Sequence, residues 1–376
     1  MKRLIALFLV MAMLAALCAC GKKPVETEPV TEPVVEAPAE ESTEASATEE
    51  SVEESTEAPA TEAATEAPAA YTNPLTGEEM DGPMTTRPFL VTVNNVKEAL
   101  PHCSVNEADI YMEMFVNGSI IRGLSLFSDV SKVSDIGSVR SLRMMFNDIA
   151  SHYDAVIAHA GGSGLVLSQA NSMKLDHFNI DTWDETPYSY RNMERDAAGY
   201  TWEHILFAKG PGLVEYAKEQ GIEVTQDPNK DYGLTFTQDG TPAGGETANS
   251  ITVTFSFNGS RKDTTMKYDE ELGKYVYYQY GMMMTDALTN APEAFENVVI
   301  MMTKIGLNDI YHVADFVAGG DGYFACGGQL IPIKWHCDSE SSPFYFTTVD
   351  GESLDFGVGN TYIAIAPVGS PVVYGE

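Results

Sequence analysis

The sequence predicts an α/β N-terminal domain followed by a mainly β C-terminal domain, both behind a signal peptide and a disordered acidic stalk. Three observations carry that prediction. Between residues 88 and 220, apolar runs of strand length alternate with stretches of helical spacing. After residue 251 only short strand-like runs and turn pairs recur. Before residue 71 the composition cannot build a core.

The chain opens on Met1-Lys2-Arg3, continues through an apolar run from Leu4 to Leu17, and reaches Leu17-Cys18-Ala19-Cys20. The run is too short to span a bilayer, and its flanks suit a cleaved signal. A small residue at Ala19 suits cleavage just before Cys20 and lipid attachment to its thiol. Residues 1–19 therefore read as a lipoprotein signal peptide. Cys20 reads as the lipid anchor, which puts the protein on the outer face of the cytoplasmic membrane.

Residues 20–70 read as a lipidated cysteine and a stalk. From 22 to 70 there is no aromatic residue, so ordering the chain would bring no compensating burial. Six prolines stiffen this stretch, and 14 Glu against 2 Lys in residues 21–70 extend it by self-repulsion. The stalk does not account for the charge, because residues 71–376 hold 41 acids against 18 bases. A folded region that acidic repels nucleic acid and anionic head groups, so nucleic acid is excluded as a partner. Membrane contact is left to the lipid on Cys20.

The folded part divides into an α/β domain at 71–225, a linker at 226–250 and a mainly β domain at 251–376. Pro88 to Asn94 reads as a buried strand. Asp109 to Val116 and Ser119 to Phe127 read as two more, joined by a type I′ turn at Asn117-Gly118. A helix is expected from Ser138 as N-cap, with Val139, Leu142, Phe146 and Ile149 on one face. Asp154 to His159 is a fourth strand, Ser163 starts a second helix, and Gly212 to Gln220 forms a third. Residues 226–250 turn to Asp, Asn, Gly, Thr and Pro, and eight short strands follow, with turns such as Asn258-Gly259. Met282 to Met284 and Met301-Met302 read as core packing. Three cysteines remain, Cys103, Cys326 and Cys337; an odd number argues against a disulfide framework.

The candidate chemistry lies in the first of these domains. Arg140 and Arg143 fall in the first turn of the expected helix, where the dipole already places partial positive charge. With Arg122 they concentrate cations in a region poor in bases, and Ser141 lies between the last two. Something negative must offset them. Either Asp109, Glu113 or Asp135 pairs with them internally, or an anionic ligand is gripped by the guanidiniums and free helix N–H groups. His159 ends a strand and precedes Gly161-Gly162-Ser163-Gly164, the setting in which α/β folds bind ligands. Trp202-Glu203-His204 adds a second histidine beside an acid. There is no P-loop, nucleophile elbow, His-Glu-x-x-His or Cys-x-x-Cys, so neither a cofactor nor a metal is expected.

Asn73-Pro74-Leu75-Thr76-Gly77, Arg87-Pro88, Ala108-Asp109-Ile110, Gly137-Ser138-Val139-Arg140-Ser141-Leu142-Arg143 and His159-Ala160-Gly161-Gly162-Ser163 resemble the YerB-like lipoproteins of Gram-positive bacteria. Glu296-Asn297-Val298, Gly327-Gly328-Gln329, Lys334-Trp335 and Gly359-Asn360-Thr361-Tyr362-Ile363 resemble the second domain of that family. The resemblance implies a location and a two-domain layout, and no reaction. The leading function is a cell-envelope binding protein for an anionic small molecule or wall fragment. Two others stand beside it. One is an envelope hydrolase or transferase using His159 with Glu113 or Asp109; the other is an acidic scaffold for protein contacts at the wall.

Overall fold

The computed structural model describes residues 71–376. The expected signal peptide, the lipidation site Cys20 and the acidic stalk fall outside the described residues. Side chains alternating between two core clusters build the central sheet. Strands β1 (Phe89–Asn94), β2 (Ile110–Asn117) and β3 (Ile120–Phe127) are buried along nearly their whole length, so both sheet faces are covered. Phe89, Val91 and Val93 join Tyr111 and Phe115 in one core cluster. Leu90 joins Met112 and Met114 in the other, as a period of two requires.

The β2–β3 turn differs from the expectation by one residue. A register shift between Phe115 and Asn117 brings Asn117 opposite Ile120, so Gly118 and Ser119 make the turn. Gly118 has φ 54° and Ser119 is not at positive φ, the sign pattern of type II′ rather than I′.

After β3 come β4 (Asp135–Gly137), α1 (Met144–Tyr153), β5 (Val156–His159), α2 (Gly164–Ser172) and β6 (His177–Asn179). They are followed by β7 (Ser189–Arg191), β8 (Leu206–Lys209) and α3 (Gly210–Glu219). β5 runs parallel to both β1 and β6, with α2 as the β5–β6 crossover. β4, β8 and β7 form a separate antiparallel sheet.

The later strands are β9 (Ser250–Phe257), β10 (Ser260–Asp269), β11 (Lys274–Gln279), β12 (Asn297–Thr303), β13 (Gly320–Cys326), β14 (Gln329–His336), β15 (Thr361–Pro367) and β16 (Val372–Gly375). Asn258 and Gly259 both take positive φ, 47° and 84°, which makes the β9–β10 connection the I′ type. β11, β10, β9 and β16 lie in order within a six-stranded sheet. β14, β13, β12 and β15 continue the central sheet, whose order runs on through β2, β3, β1, β5 and β6. β15 pairs in parallel with β12 on one side and β2 on the other, at Thr361–Ile365 against Ile110–Met114. Residues 226–250 contribute two short pairings, Thr235–Thr237 with Asp355–Gly357 and Glu246–Thr247 with β14.

The described residues are mostly β, 43% strand against 14% helix, and every helix lies before residue 220, so the α/β description of the first half finds only partial support. Helices appear there, but they are short, and strand pairing takes residues expected to be helical. The helix expected from Ser138 is the main case: it begins only at Met144. Met282 and Met283 are largely exposed, whereas Met284 and Met301 are buried, so the methionine run only partly enters the core. Cys103, Cys326 and Cys337 are buried and free. Among the described residues no helix is long and apolar enough to cross a membrane.

Candidate functional site

The arginine segment is placed by an unfilled strand edge. β5 pairs with β1 only along Phe89–Val91, leaving the rest of β1 open on that side. Residues 138–142 occupy the gap in extended form. The Asn94 amide donates to the Ser138 carbonyl at 2.8 Å and the Arg140 amide to the Thr92 carbonyl at 2.9 Å. On the other side Ala160 N–H donates to the Arg140 carbonyl and Leu142 N–H to the Gly161 carbonyl, both at 2.9 Å. The chain thus fills the crevice at the carboxyl ends of two parallel strands, a position where sheets of this kind commonly bind ligands. Arg143 becomes the N-cap residue of α1, so only one of the two arginines sits at a helix end.

Two guanidiniums, those of Arg122 and Arg143, meet at the Ser141 carbonyl, with Arg140 nearby. Arg122, from β3, is 2% exposed and donates from Nη1 to that oxygen at 3.0 Å; its Nε has no partner. Burial, with Arg143 and Arg140 nearby, holds its pKa well below the usual arginine value. Arg143 donates from Nη1 to the same carbonyl at 3.2 Å and to the Leu142 carbonyl at 2.8 Å. Burial lowers its pKa as well. Neither of the two makes an ion pair among the described residues. Arg140 does: its Nη2 lies 2.8 Å from Glu203 Oε2, and Nη1 donates to the Glu203 carbonyl at 2.8 Å. That contact holds the Glu203 carboxyl below its usual range.

The carboxylates expected to neutralise the arginines are engaged elsewhere. Asp109 accepts from Asn73 Nδ2 at 2.7 Å, and burial raises its pKa. Glu113 is fully buried and bonds Lys262, Asn95, Thr264 and Tyr362. Asp135 accepts from the Tyr190 hydroxyl at 3.0 Å.

His159 stands apart from the arginines. Its Nδ1 must donate to the Gly161 carbonyl at 2.9 Å, since that oxygen can only accept. Nε2 is then the acceptor for His177 Nδ1–H at 3.0 Å. Burial and His177 lower its pKa to about 4, so it is neutral at neutral pH with both nitrogens committed. Among the described residues no carboxylate contacts it, and the expected pairing with Glu113 or Asp109 does not form. His159, Gly161, His177, Asn179 and Tyr216 line a cleft of about 460 Å³. Gly161 has φ 68° and donates its N–H to Asn179 Oδ1 at 2.8 Å. A Cβ on Gly162 would meet the Leu167 side chain at 3.3 Å, and Ser163 caps α2 through Oγ, which accepts from the Val166 amide at 3.4 Å. His204 is nearly buried, 3.8 Å from Glu203, with Nδ1 unpartnered and its pKa lowered by burial.

Arg140 and Ser141 line a different cleft, of about 360 Å³, with Asp181, Trp183, Arg191, Trp202 and Glu203. Arg191 pairs with Asp181 and lies 4.6 Å from the Trp202 ring centroid. Two guanidiniums, Arg140 and Arg191, therefore meet two carboxylates, Glu203 and Asp181, in this cleft, and Arg122 and Arg143 lie outside its lining. Sequence reasoning missed Trp183, Asp181 and Arg191, and noted Glu203 only as an acid beside His204. The available signal was Asp181-Thr182-Trp183-Asp184-Glu185, a large aromatic residue alone among acids. Among the described residues no group of three or more His, Cys, Asp or Glu side chains comes together to hold a metal.

Residues 75–223 match the N-terminal domain of the family described as "Protein of unknown function (DUF3048)", and residues 251–363 match its C-terminal domain. A relative in Bacillus subtilis (strain 168), named "Putative lipoprotein YerB", is 27% identical over 302 residues. The match takes in 78% of this chain and 86% of the relative. The crystal structure of the YerB protein from Bacillus subtilis superposes with a TM-score of 0.69 at 24% identity. It covers 80% of this chain and 99% of that one, and shows a shared fold. The chain belongs to the YerB-like family that carries the DUF3048 N- and C-terminal domains.

Proposed function

We propose that this protein is a membrane-anchored, extracytoplasmic binding protein that holds an anionic, wall-derived ligand at Arg122, Arg140 and Arg143. Arg122 is the observation that carries the reading. Its guanidinium is buried on one carbonyl, beside two other arginines, without a carboxylate of its own. An unpaired buried charge costs several kcal/mol, and arginine, unlike lysine, does not escape by losing its proton. A carboxylate or phosphate supplies the missing charge and matches the forked guanidinium. Arg143 at the start of α1 adds first-turn N–H groups to the same end.

The name of the Bacillus subtilis relative supports the lipid anchor at Cys20. The two matched segments support a layout of 71–225 and 251–376 around a linker at 226–250. The hydrolase reading loses its support, because His159 has no acid to work with.

Isothermal titration of the full chain in detergent, with citrate and with inorganic phosphate, tests the proposal. Saturable binding of at least one anion is expected. It should weaken about tenfold in Arg143→Gln, and again as ionic strength rises from about 0.01 M to about 0.15 M. Two anions without saturable heat contradict it.

A further inference from the structure

Trp183 is 82% exposed and Trp202 39% exposed, and their ring centroids are 5.1 Å apart at 31°. Two indoles turned to solvent forgo the burial that normally fixes tryptophan in a fold. Clustered exposed apolar surface with a polar rim marks a binding site. The rim here is charged. Arg191 supports Trp202 from one side, by the ring contact and by Nη1 donating to the Trp202 carbonyl at 2.8 Å. Arg140 lies in the same cleft with an unpartnered Nε–H, and the Ser141 residue lines it too.

We propose that Trp183 and Trp202 are a stacking platform for the sugar rings of an acidic glycan whose carboxylates reach the Arg140 side of the cleft. This rests on the anion reading of the arginine cluster and specifies its ligand class. A pyranose offers an apolar C–H face to an indole and a polar edge to charged groups, which is how this cleft is divided. A peptide helix or an apolar tail would instead strand Arg140, Asp181, Arg191 and Glu203 against hydrocarbon. Nucleic acid also stacks on indoles, but residues 71–376, with 41 acids against 18 bases, repel a polyphosphate chain.

The test is isothermal titration of the full chain with three probes. The first is a peptide-free tetrasaccharide of alternating N-acetylglucosamine and N-acetylmuramic acid, whose lactyl groups carry free carboxylates. The second is neutral chitotetraose, and the third is citrate. The acidic tetrasaccharide should bind best, and Trp183→Ala should weaken it about tenfold while leaving citrate affinity unchanged. Trp183 is exposed, so its removal leaves the core intact, and a thermal melt checks this. If Trp183→Ala leaves the acidic tetrasaccharide unaffected, or wild type binds citrate and neither sugar, the platform is overturned and the anion reading stands. If chitotetraose binds as tightly as the acidic sugar, the carboxylate contact is overturned. If neither citrate nor the acidic sugar binds, both readings fall.

Discussion

A lysine and an arginine in this molecule show two answers to the same burial problem. Lys262 is buried against Glu113, with Thr264, Tyr362 and Asn95 completing the carboxylate's hydrogen bonds. Arg122 is buried on a backbone carbonyl, and the half-buried Arg143 donates to two backbone carbonyls and to Asn117 Oδ1, neither with an acid partner among the described residues. Lys262→Ala should therefore strand a buried carboxylate and cost about 3–5 kcal/mol. Arg143→Ala strands no acid and removes a like-charge neighbour of Arg122, so it should cost about 1 kcal/mol. Thermal melts of the two variants beside wild type measure both. Comparable losses would mean that Arg143 belongs to a structural network after all. The arginines were legible in the sequence because three cations close together in an acid-rich region need an explanation. Glu203 as the partner of Arg140 was not, since residues 63 positions apart meet only through the fold.

At the scale of elements, Ser138–Leu142 shows where periodicity misleads. Val139, Leu142, Phe146 and Ile149 are all buried, as a helical face requires. The first two are buried by extended pairing instead. Long-range strand register opened an edge beside Thr92 that no local window reveals. The hairpin at Gly118 missed its type for a related reason, a one-residue shift upstream. Asn258-Gly259, with no such shift, formed the turn its dipeptide predicts. Amide hydrogen exchange separates the extended and helical readings of residues 138–142. The Val139 amide donates to the Leu206 carbonyl and the Arg140 amide to Thr92, so both should exchange slowly. A helix starting at Ser138 would leave those amides among its unbonded first-turn groups, and they would exchange fast.

Across the whole molecule, the two family segments are joined by the pairing of β2 with β15, and the Lys262–Glu113 contact ties the six-stranded sheet to that seam. Composition made the strand-rich second half legible, because short β-branched runs and Gly turns leave few alternatives. It could not show how much of the first half would be strand, since short buried runs fit either class until their partners are known. On the proposed reading, the crevice beside Arg122 and Arg143 is where an anion gains more than it loses. Crystals of the chain soaked in selenate, whose selenium scatters anomalously, locate that place. The account predicts an anomalous peak within hydrogen-bonding distance of the Arg122 and Arg143 guanidiniums, lost in Arg143→Gln. Peaks at other basic residues with none at this pair would contradict it.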